Sequence, residues 1–264
     1  MSHRTTSLVA AGLLAAALLA GACSDDEDAS TTTTDDHHET PTSATDGTPA
    51  SAPLEGEAVP AEACGHFSTL SAAMTGDPSI AGPALEMLVP SLPEELSDDG
   101  TTVAESLRAA FDGDDTVFGD PTFLTSFEAL GSAMWAGCEA ASRLDVTGVD
   151  YGFEGLPEQI SAGLVALRFT NGTSSEEPHE LIVLQRPPGD ETPIEEIAEM
   201  SPDEVMADFP MTGVVFADAA EQSSTSFMEL PTGRYIAICT IPVGGGESGD
   251  PHAAHGMVAE FEAV

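Results

Sequence analysis

Two hydrophobic patterns divide the chain after about residue 60. Between residues 61 and 143, apolar side chains recur three and four positions apart, which is the spacing of one helix face. Stretches rich in Asp, Gly and Pro separate four such segments: Cys64 to Met74, Ala84 to Val89, Val103 to Phe111, and Pro121 to Trp135. The pattern predicts a small helical bundle for residues 61–143.

From residue 144 the pattern changes to short apolar runs bounded by turn residues, which is typical of β-strands. The predicted strands include Leu164 to Phe169, His179 to Gln185, Thr225 to Leu230, Arg234 to Ile241 and Gly256 to Ala263. Thr170-Asn171-Gly172 is typical of a tight hairpin turn, and Pro193 to Asp208 of a short helical excursion. About seven short strands predict a β-sandwich for residues 144–264, so the fold class is α plus β in two domains.

The first 22 residues have the pattern of a secretory signal peptide. A short basic start precedes an apolar run from Leu8 to Ala20, which is too short to span a bilayer as a helix. The string Leu-Leu-Ala-Gly-Ala-Cys that ends at Cys23 resembles a bacterial lipobox. The resemblance implies that Cys23 carries lipid, such as palmitate, and anchors an exported protein at the outer face of the cell membrane. The alternative is an ordinary signal peptide with Cys23 as a spare thiol.

Residues 23–60 lack the side chains needed to build a core. Leu54 and Val59 are the only large aliphatic residues in this stretch, which is otherwise rich in Thr and acidic residues and has no basic residue. Such a composition predicts a disordered tether, and mutual repulsion of its charges extends the tether away from the membrane.

The charge balance of the whole chain narrows the function classes. The sequence has 46 Asp and Glu against 6 basic residues, for a formal net charge of −40. Nucleic-acid binding depends on Lys and Arg that neutralise phosphates, so this class is excluded. The same charge favours cationic or metal partners.

The chain has four cysteines, and lipidation of Cys23 leaves an odd number, three, for other roles. Cys64 and Cys138 lie at opposite ends of the helical region, and a disulfide between them would stabilise it by roughly 4 kcal/mol in the loop-entropy model. Cys239 then remains unpaired in an exported protein. It is either buried and inert, or it is a metal ligand or a reactive centre.

Three stretches of the strand region carry residues that bind soft metals. A histidine opens one predicted strand, a cysteine lies near the end of a later one, and the motif Pro-His-Ala-Ala-His-Gly-Met follows at 251–257. This arrangement resembles the cupredoxins, the blue (type 1) copper proteins, from Tyr151 to the end of the chain. The resemblance implies a Greek-key β-sandwich and a copper ion held by these ligands: His179, Cys239, His252 and Met257.

Each implied ligand has a chemical reason to be there. A thiolate suits copper, two imidazoles complete a trigonal plane, and a thioether provides a long, weak axial contact. We prefer His252 to His255, because four residues separate His252 from Met257, a spacing found in the family. His255 is the fallback ligand or a neighbouring group. The implied function is single-electron transfer with an envelope redox protein, without catalysis.

The sequence departs from the family at two points. Twelve residues separate Cys239 from His252, where the family has a few, and Glu180 follows His179, where many copper-binding members have an Asn that ties the loops together. Two alternatives therefore stay open. One is a metal-free cupredoxin-like module that binds another protein. The other is a copper-buffering or delivery protein, assisted by tether histidines His37 and His38.

Overall fold

The computed structural model describes residues 59–172, 177–244 and 249–264. The predicted signal peptide (1–22), lipidation of Cys23 and almost all of the predicted tether (23–60) lie outside the described residues. Among the described helices, none combines the length and the apolar character needed to cross a bilayer.

Helices occupy the first part of the described chain, as the apolar spacing predicts. The described residues form these α-helices: α1 Ala61–Thr75, α2 Ala81–Ser91, α3 Ser97–Phe111, α4 Pro121–Gly137, α5 Ile194–Ala198 and α6 Pro202–Asp208. The start of α4 is fixed by Asp120, whose carboxylate accepts from the Thr122 N–H at 2.8 Å, and by Pro121 in the first turn. Helix α6 begins with a capping box between Ser201 and Glu204.

The strands form a mixed β-sandwich. Their bounds are β1 Ser142–Val149, β2 Gly152–Glu154, β3 Gln159–Ile160, β4 Gly163–Asn171, β5 His179–Gln185, β6 Met211–Ala217, β7 Ser223–Leu230, β8 Gly233–Ile238 and β9 Val258–Ala263. The first sheet has the order β2-β1-β4-β7 and the second the order β3-β9-β8-β5-β6. Pairs β1–β4 and β3–β9 are parallel, and the others are antiparallel. The predicted fold class, a helical region followed by a sandwich, is confirmed.

Three hydrophobic clusters join these elements in layers. The cluster between the two sheets includes Phe169 from the first and Leu181 from the second. Helices α1–α4 pack on the outer face of the first sheet, where the Phe67 ring meets Phe227 edge-on at 5.8 Å. Helices α5 and α6 cover the second sheet, and Ile197 lies in their shared core. Residues 59–264 therefore belong to one compact unit.

The predicted disulfide is confirmed. Cys64 in α1 is bonded to Cys138, which directly follows α4, across a sequence separation of 74. The bond links the two ends of the helical region and lies in its hydrophobic cluster.

The predicted hairpin turn at Thr170-Asn171-Gly172 is wrong. Strand β4 belongs to the first sheet and β5 to the second, so the chain crosses between sheets here instead of turning back. Asn171 does not adopt the positive φ that a tight hairpin needs at this position. Its side chain is fully buried, and Nδ2 donates to the carbonyls of Glu177 at 2.7 Å and Ala217 at 3.3 Å. The amide thus anchors a crossing between sheets.

Candidate metal centre

The ends of two neighbouring strands bring the first two predicted ligands together. His179 is the first residue of β5, and Cys239 directly follows the last residue of β8. These strands are antiparallel, so the start of one lies beside the end of the other. His252 opens a short 3₁₀ helix that precedes β9, the other neighbour of β8. The three side chains therefore meet at one end of the second sheet, where β5 begins and β8 finishes.

The ligand atoms of His179, Cys239 and His252 all lie within 4.8 Å of one another. The two Nδ1 atoms are 3.0 Å apart, and the Cys239 Sγ is 3.5 Å from His252 Nδ1. Nitrogens at that separation can both lie within about 2 Å of one point, an ordinary metal–nitrogen bond length. No residue of the three is more than 1% exposed. A thiolate and two imidazoles facing one buried point are a donor set that fits a copper ion.

The other two candidate ligands differ sharply. Met257 is fully buried in the same cluster as Cys239, its N–H donates to the His252 carbonyl at 3.1 Å, and its carbonyl accepts from the Cys239 N–H at 3.0 Å. The His255 side chain is 44% exposed, and its Nε2 is 4.0 Å from an Asp250 carboxylate oxygen. The structure thus gathers His179, Cys239 and His252, places Met257 beside them through the backbone, and leaves His255 outside the cluster.

The long insertion after Cys239 does not displace His252. Three backbone hydrogen bonds close its base: the N–H of Ala253 to Cys239 O at 3.0 Å, that of His252 to Ile241 O at 2.8 Å, and that of Val243 to Asp250 O at 3.0 Å. The two sides of the loop run antiparallel at this base, which we call the loop neck. The neck positions His252 opposite Cys239.

Glu180 ties the two ligand segments together. One of its carboxylate oxygens accepts from both the N–H of Thr240, at 3.0 Å, and the Thr240 hydroxyl, at 2.7 Å. Glu180 follows one ligand and Thr240 follows another. The carboxylate therefore makes the connection that the resemblance assigns to an Asn. Burial raises the pKa of the Glu180 carboxyl, and the bonds from Thr240 act in the opposite direction.

Burial controls the protonation of the site. It lowers the pKa of His179 and of His252, and for His179 the neighbouring imidazole acts in the same direction. Burial, with a smaller contribution from Glu180, raises the pKa of the Cys239 thiol to about 12. Without a metal the imidazoles are thus neutral and the thiol keeps its proton. A metal must displace that proton to bind the sulfur.

Two further residues at the site, Glu177 and Tyr151, were not singled out from the sequence. Glu177 Oε2 is 3.1 Å from His252 Nε2 and 3.4 Å from the Tyr151 hydroxyl. The Tyr151 ring packs against His252 and His255, with centroid distances of 5.0 and 5.3 Å, and its φ is 68°. Glu177 is one of 46 acidic residues, so no composition signal sets it apart. Tyr151 is one of two tyrosines in the chain and precedes a glycine, and both features could have drawn attention to it.

No family model matches the chain, and no curated protein sequence matches it. Among solved structures, auracyanin from Roseiflexus castenholzii is 15% identical with a TM-score of 0.34, covering 48% of this chain and 99% of its own. Rusticyanin from Thiobacillus ferrooxidans is 17% identical with a TM-score of 0.33, covering 48% and 80%. Auracyanin A from Chloroflexus aurantiacus, described as a blue copper protein, is 15% identical with a TM-score of 0.29, covering 46% and 98%. The chemistry of the site rests on its own side chains, and three of the four ligands that the cupredoxin resemblance implies converge there: His179, Cys239 and His252.

Proposed function

We propose that this protein binds one copper ion through His179, Cys239 and His252, with Met257 as the axial contact, and carries single electrons. The observation behind the proposal is the convergence of two Nδ1 atoms and one Sγ on one buried point. A copper ion held in this way can cycle between two oxidation states. The Glu180–Thr240 bonds and the loop neck hold the ligand segments in place, which keeps the ligand geometry similar in both states.

We infer that the protein is an electron carrier rather than an enzyme. The three ligand side chains are at most 1% exposed, so a substrate cannot reach an ion among them. An electron needs no such access. The Tyr151 ring, which is partly exposed and contacts His252, separates the buried ligand from the surface.

The proposed cellular setting follows from the N-terminal sequence. The lipobox-like string at Cys23 supports a lipid anchor on an exported protein, and the acidic stretch 23–60 supports a tether at the outer face of the membrane. The redox partner is then an envelope protein. A net charge of −40 favours a partner with a basic docking surface.

Copper titration of the purified protein tests the proposal. Copper(II) is expected to give an intense visible absorption band from charge transfer between thiolate and metal, and Cys239→Ser is expected to abolish the band. Zinc(II) is the control occupant, because its filled d shell gives no such band. A colourless protein that retains no copper after dialysis contradicts the proposal.

A metal-free binding module is the second candidate, and one observation favours it. The 3.0 Å distance between the two Nδ1 atoms is also that of a hydrogen bond between neutral imidazoles. In that case the triad is a buried polar network and the titration stays colourless. A different measurement distinguishes copper delivery from electron transfer. Rapid loss of bound copper to a chelator indicates delivery, whereas repeated redox cycling without loss indicates electron transfer.

A further inference from the structure

The two ring nitrogens of His252 face different partners. Nδ1 points into the cluster, 3.0 Å from His179 Nδ1 and 3.5 Å from the Cys239 sulfur. Nε2 points away from the cluster and lies 3.1 Å from a Glu177 carboxylate oxygen. The His252 side chain is fully buried, so solvent does not satisfy Nε2. The Nε2–H bond is not aligned with the carboxylate oxygen, yet the described residues offer Nε2 no better partner.

Contacts from several segments fix the position of Glu177. Its carbonyl accepts from Asn171 Nδ2 at 2.7 Å, which holds the backbone just before β5. One carboxylate oxygen accepts from the Gly244 N–H at 3.2 Å, near the loop neck. The other accepts from the Tyr151 hydroxyl at 3.4 Å, in the link between β1 and β2. Glu177 is therefore held by three separate parts of the chain, two of which contact the carboxylate beside the His252 imidazole.

This placement determines where the proton of His252 resides. An ionised carboxylate only accepts hydrogen bonds, so the proton of a neutral His252 belongs on Nε2, facing Glu177. The lone pair of Nδ1 then faces the cluster. In the metal-free protein that lone pair accepts from His179, whose proton must lie on Nδ1. This leaves His179 Nε2 as an acceptor, and it has no partner among the described residues.

We propose that Glu177 is a positioning residue for the metal centre, which presets His252 as a ligand by holding the proton on Nε2 and leaving the Nδ1 lone pair free for the ion. This inference rests on the proposed copper function. A carboxylate that accepts from the second nitrogen of a metal-bound imidazole fixes the ring and increases the basicity of the ligand. Its negative charge also stabilises copper(II) relative to copper(I), which lowers the reduction potential.

Glu177→Gln in the full chain separates this role from general electrostatics. The variant keeps the side-chain length, removes the negative charge, and replaces one acceptor oxygen by an NH₂ group that donates. Its control is Glu229→Gln, an exposed residue of β7 paired with Leu164, at the opposite end of β4 from Asn171. Glu177→Gln is expected to raise the reduction potential more than the control does. Copper affinity is expected to fall about 10- to 100-fold, as for other outer partners of metal ligands. Equal effects of the two variants on both quantities overturn the inference.

Tyr151→Phe refines the assignment within the same set of contacts. It removes one hydroxyl contact to Glu177 and leaves the carboxylate beside His252. The reduction potential is expected to change less than in Glu177→Gln. A larger change in Tyr151→Phe would assign the positioning role to the tyrosine and overturn the assignment to Glu177.

Ring-nitrogen NMR of the metal-free protein provides a readout that needs no copper. His252 is expected to be protonated on Nε2 in the wild type, and Glu177→Gln is expected to populate the Nδ1-protonated form. If the wild type binds no copper but shows this change, the proposed function fails while the preset of His252 stands. If copper binds but neither the tautomer nor the potential depends on Glu177, the inference fails while the proposed function stands. Unfolding midpoints of the variants show whether the fold is retained.

Discussion

The helical region and the sandwich use cysteine in opposite ways. Cys64 and Cys138 are oxidised to a disulfide that joins the two ends of the helical region. Cys239 is the free cysteine of the described residues, and it is buried beside two imidazoles. The same residue type therefore supplies a covalent constraint in one region and a candidate metal ligand in the other. Pairing of the first two within their own region leaves the third thiol available for chemistry.

Buried polar side chains show the same contrast. Among the described residues, the helical region buries only two polar side chains, Ser71 and Ser126. The sandwich buries His179, His252 and Asn171 close together at one end of its strands. Burying such groups costs free energy unless they are paired, so a cluster of them indicates a function beyond stability. The candidate metal ligands therefore lie in the sandwich, and the described part of the helical region buries no comparable cluster.

Among the changes that test this division between the two regions, removal of one imidazole is expected to have the largest effect on copper binding. His252→Ala should abolish the copper band, because it removes a ligand that faces both the Cys239 sulfur and His179. His255→Ala is the matched control, since its exposed ring lies outside the cluster. Visible absorption after copper addition is the measurement. Equal losses in both variants would show that the ligand is not His252 alone.

Opening the disulfide should affect the other region instead. Cys64→Ser is expected to lower the free energy of unfolding by about 4 kcal/mol in the loop-entropy model, given the separation of 74 residues. Copper binding should persist at native conditions, because neither cysteine of the bond contacts the metal ligands. Chemical denaturation and the copper band, measured on the same sample, test the two statements. A folded variant without the copper band would contradict the assigned division of roles.

The sequence predicted those features of the fold that arise from local patterns. The helical face of α1 appears as Phe67 and Leu70 at helical spacing, and both are buried. The strand of His179 was predicted with the bounds that the structure shows. Strands β1 and β6 were not predicted, because they lack the continuous apolar run that marked the other strands: Ser142–Val149 and Met211–Ala217. Their buried residues instead alternate with more exposed ones. Their pairing depends on partners distant in sequence, which a local pattern does not reveal.

From the sequence, the site residues could be predicted only where a residue type is rare and has a distinctive chemistry. Cysteine and histidine are rare in this chain, with 4 and 7 copies, so Cys239 and His252 stand out. Acidic residues are abundant, and nothing local separates Glu177 from the others. The turn at Asn171 was misread for a different reason. Whether an Asn amide turns the chain back or anchors a crossing between sheets depends on carbonyls that the fold brings to it.

Proton release on copper binding tests whether the Cys239 sulfur is a ligand, and the expected effect is smaller than that of removing an imidazole. The Cys239 thiol, with its pKa raised to about 12, is protonated near neutral pH. Burial lowers the pKa of His179 and His252 from 6.5, so both are already neutral there. Copper(II) should therefore release one proton per ion, and its apparent affinity should rise about tenfold per pH unit above neutrality. Calorimetry in buffers of different ionisation enthalpy measures the release. Absence of proton release would contradict thiolate ligation.

Met257→Leu should produce the smallest change and the most specific one. Leucine has a similar volume, so the buried position should lose less than about 1.5 kcal/mol of stability. The thioether is a weak donor that favours the oxidised ion, and its removal should raise the reduction potential while copper stays bound. Voltammetry and denaturation of Met257→Leu and Cys64→Ser, measured side by side, separate the two regions. Met257→Leu should change the reduction potential with little loss of stability. Cys64→Ser should lower the stability without changing the reduction potential. A weak axial donor only adjusts the energy of an ion that the three stronger ligands already hold. Loss of copper from Met257→Leu would therefore show that the sulfur is a required ligand rather than an axial contact.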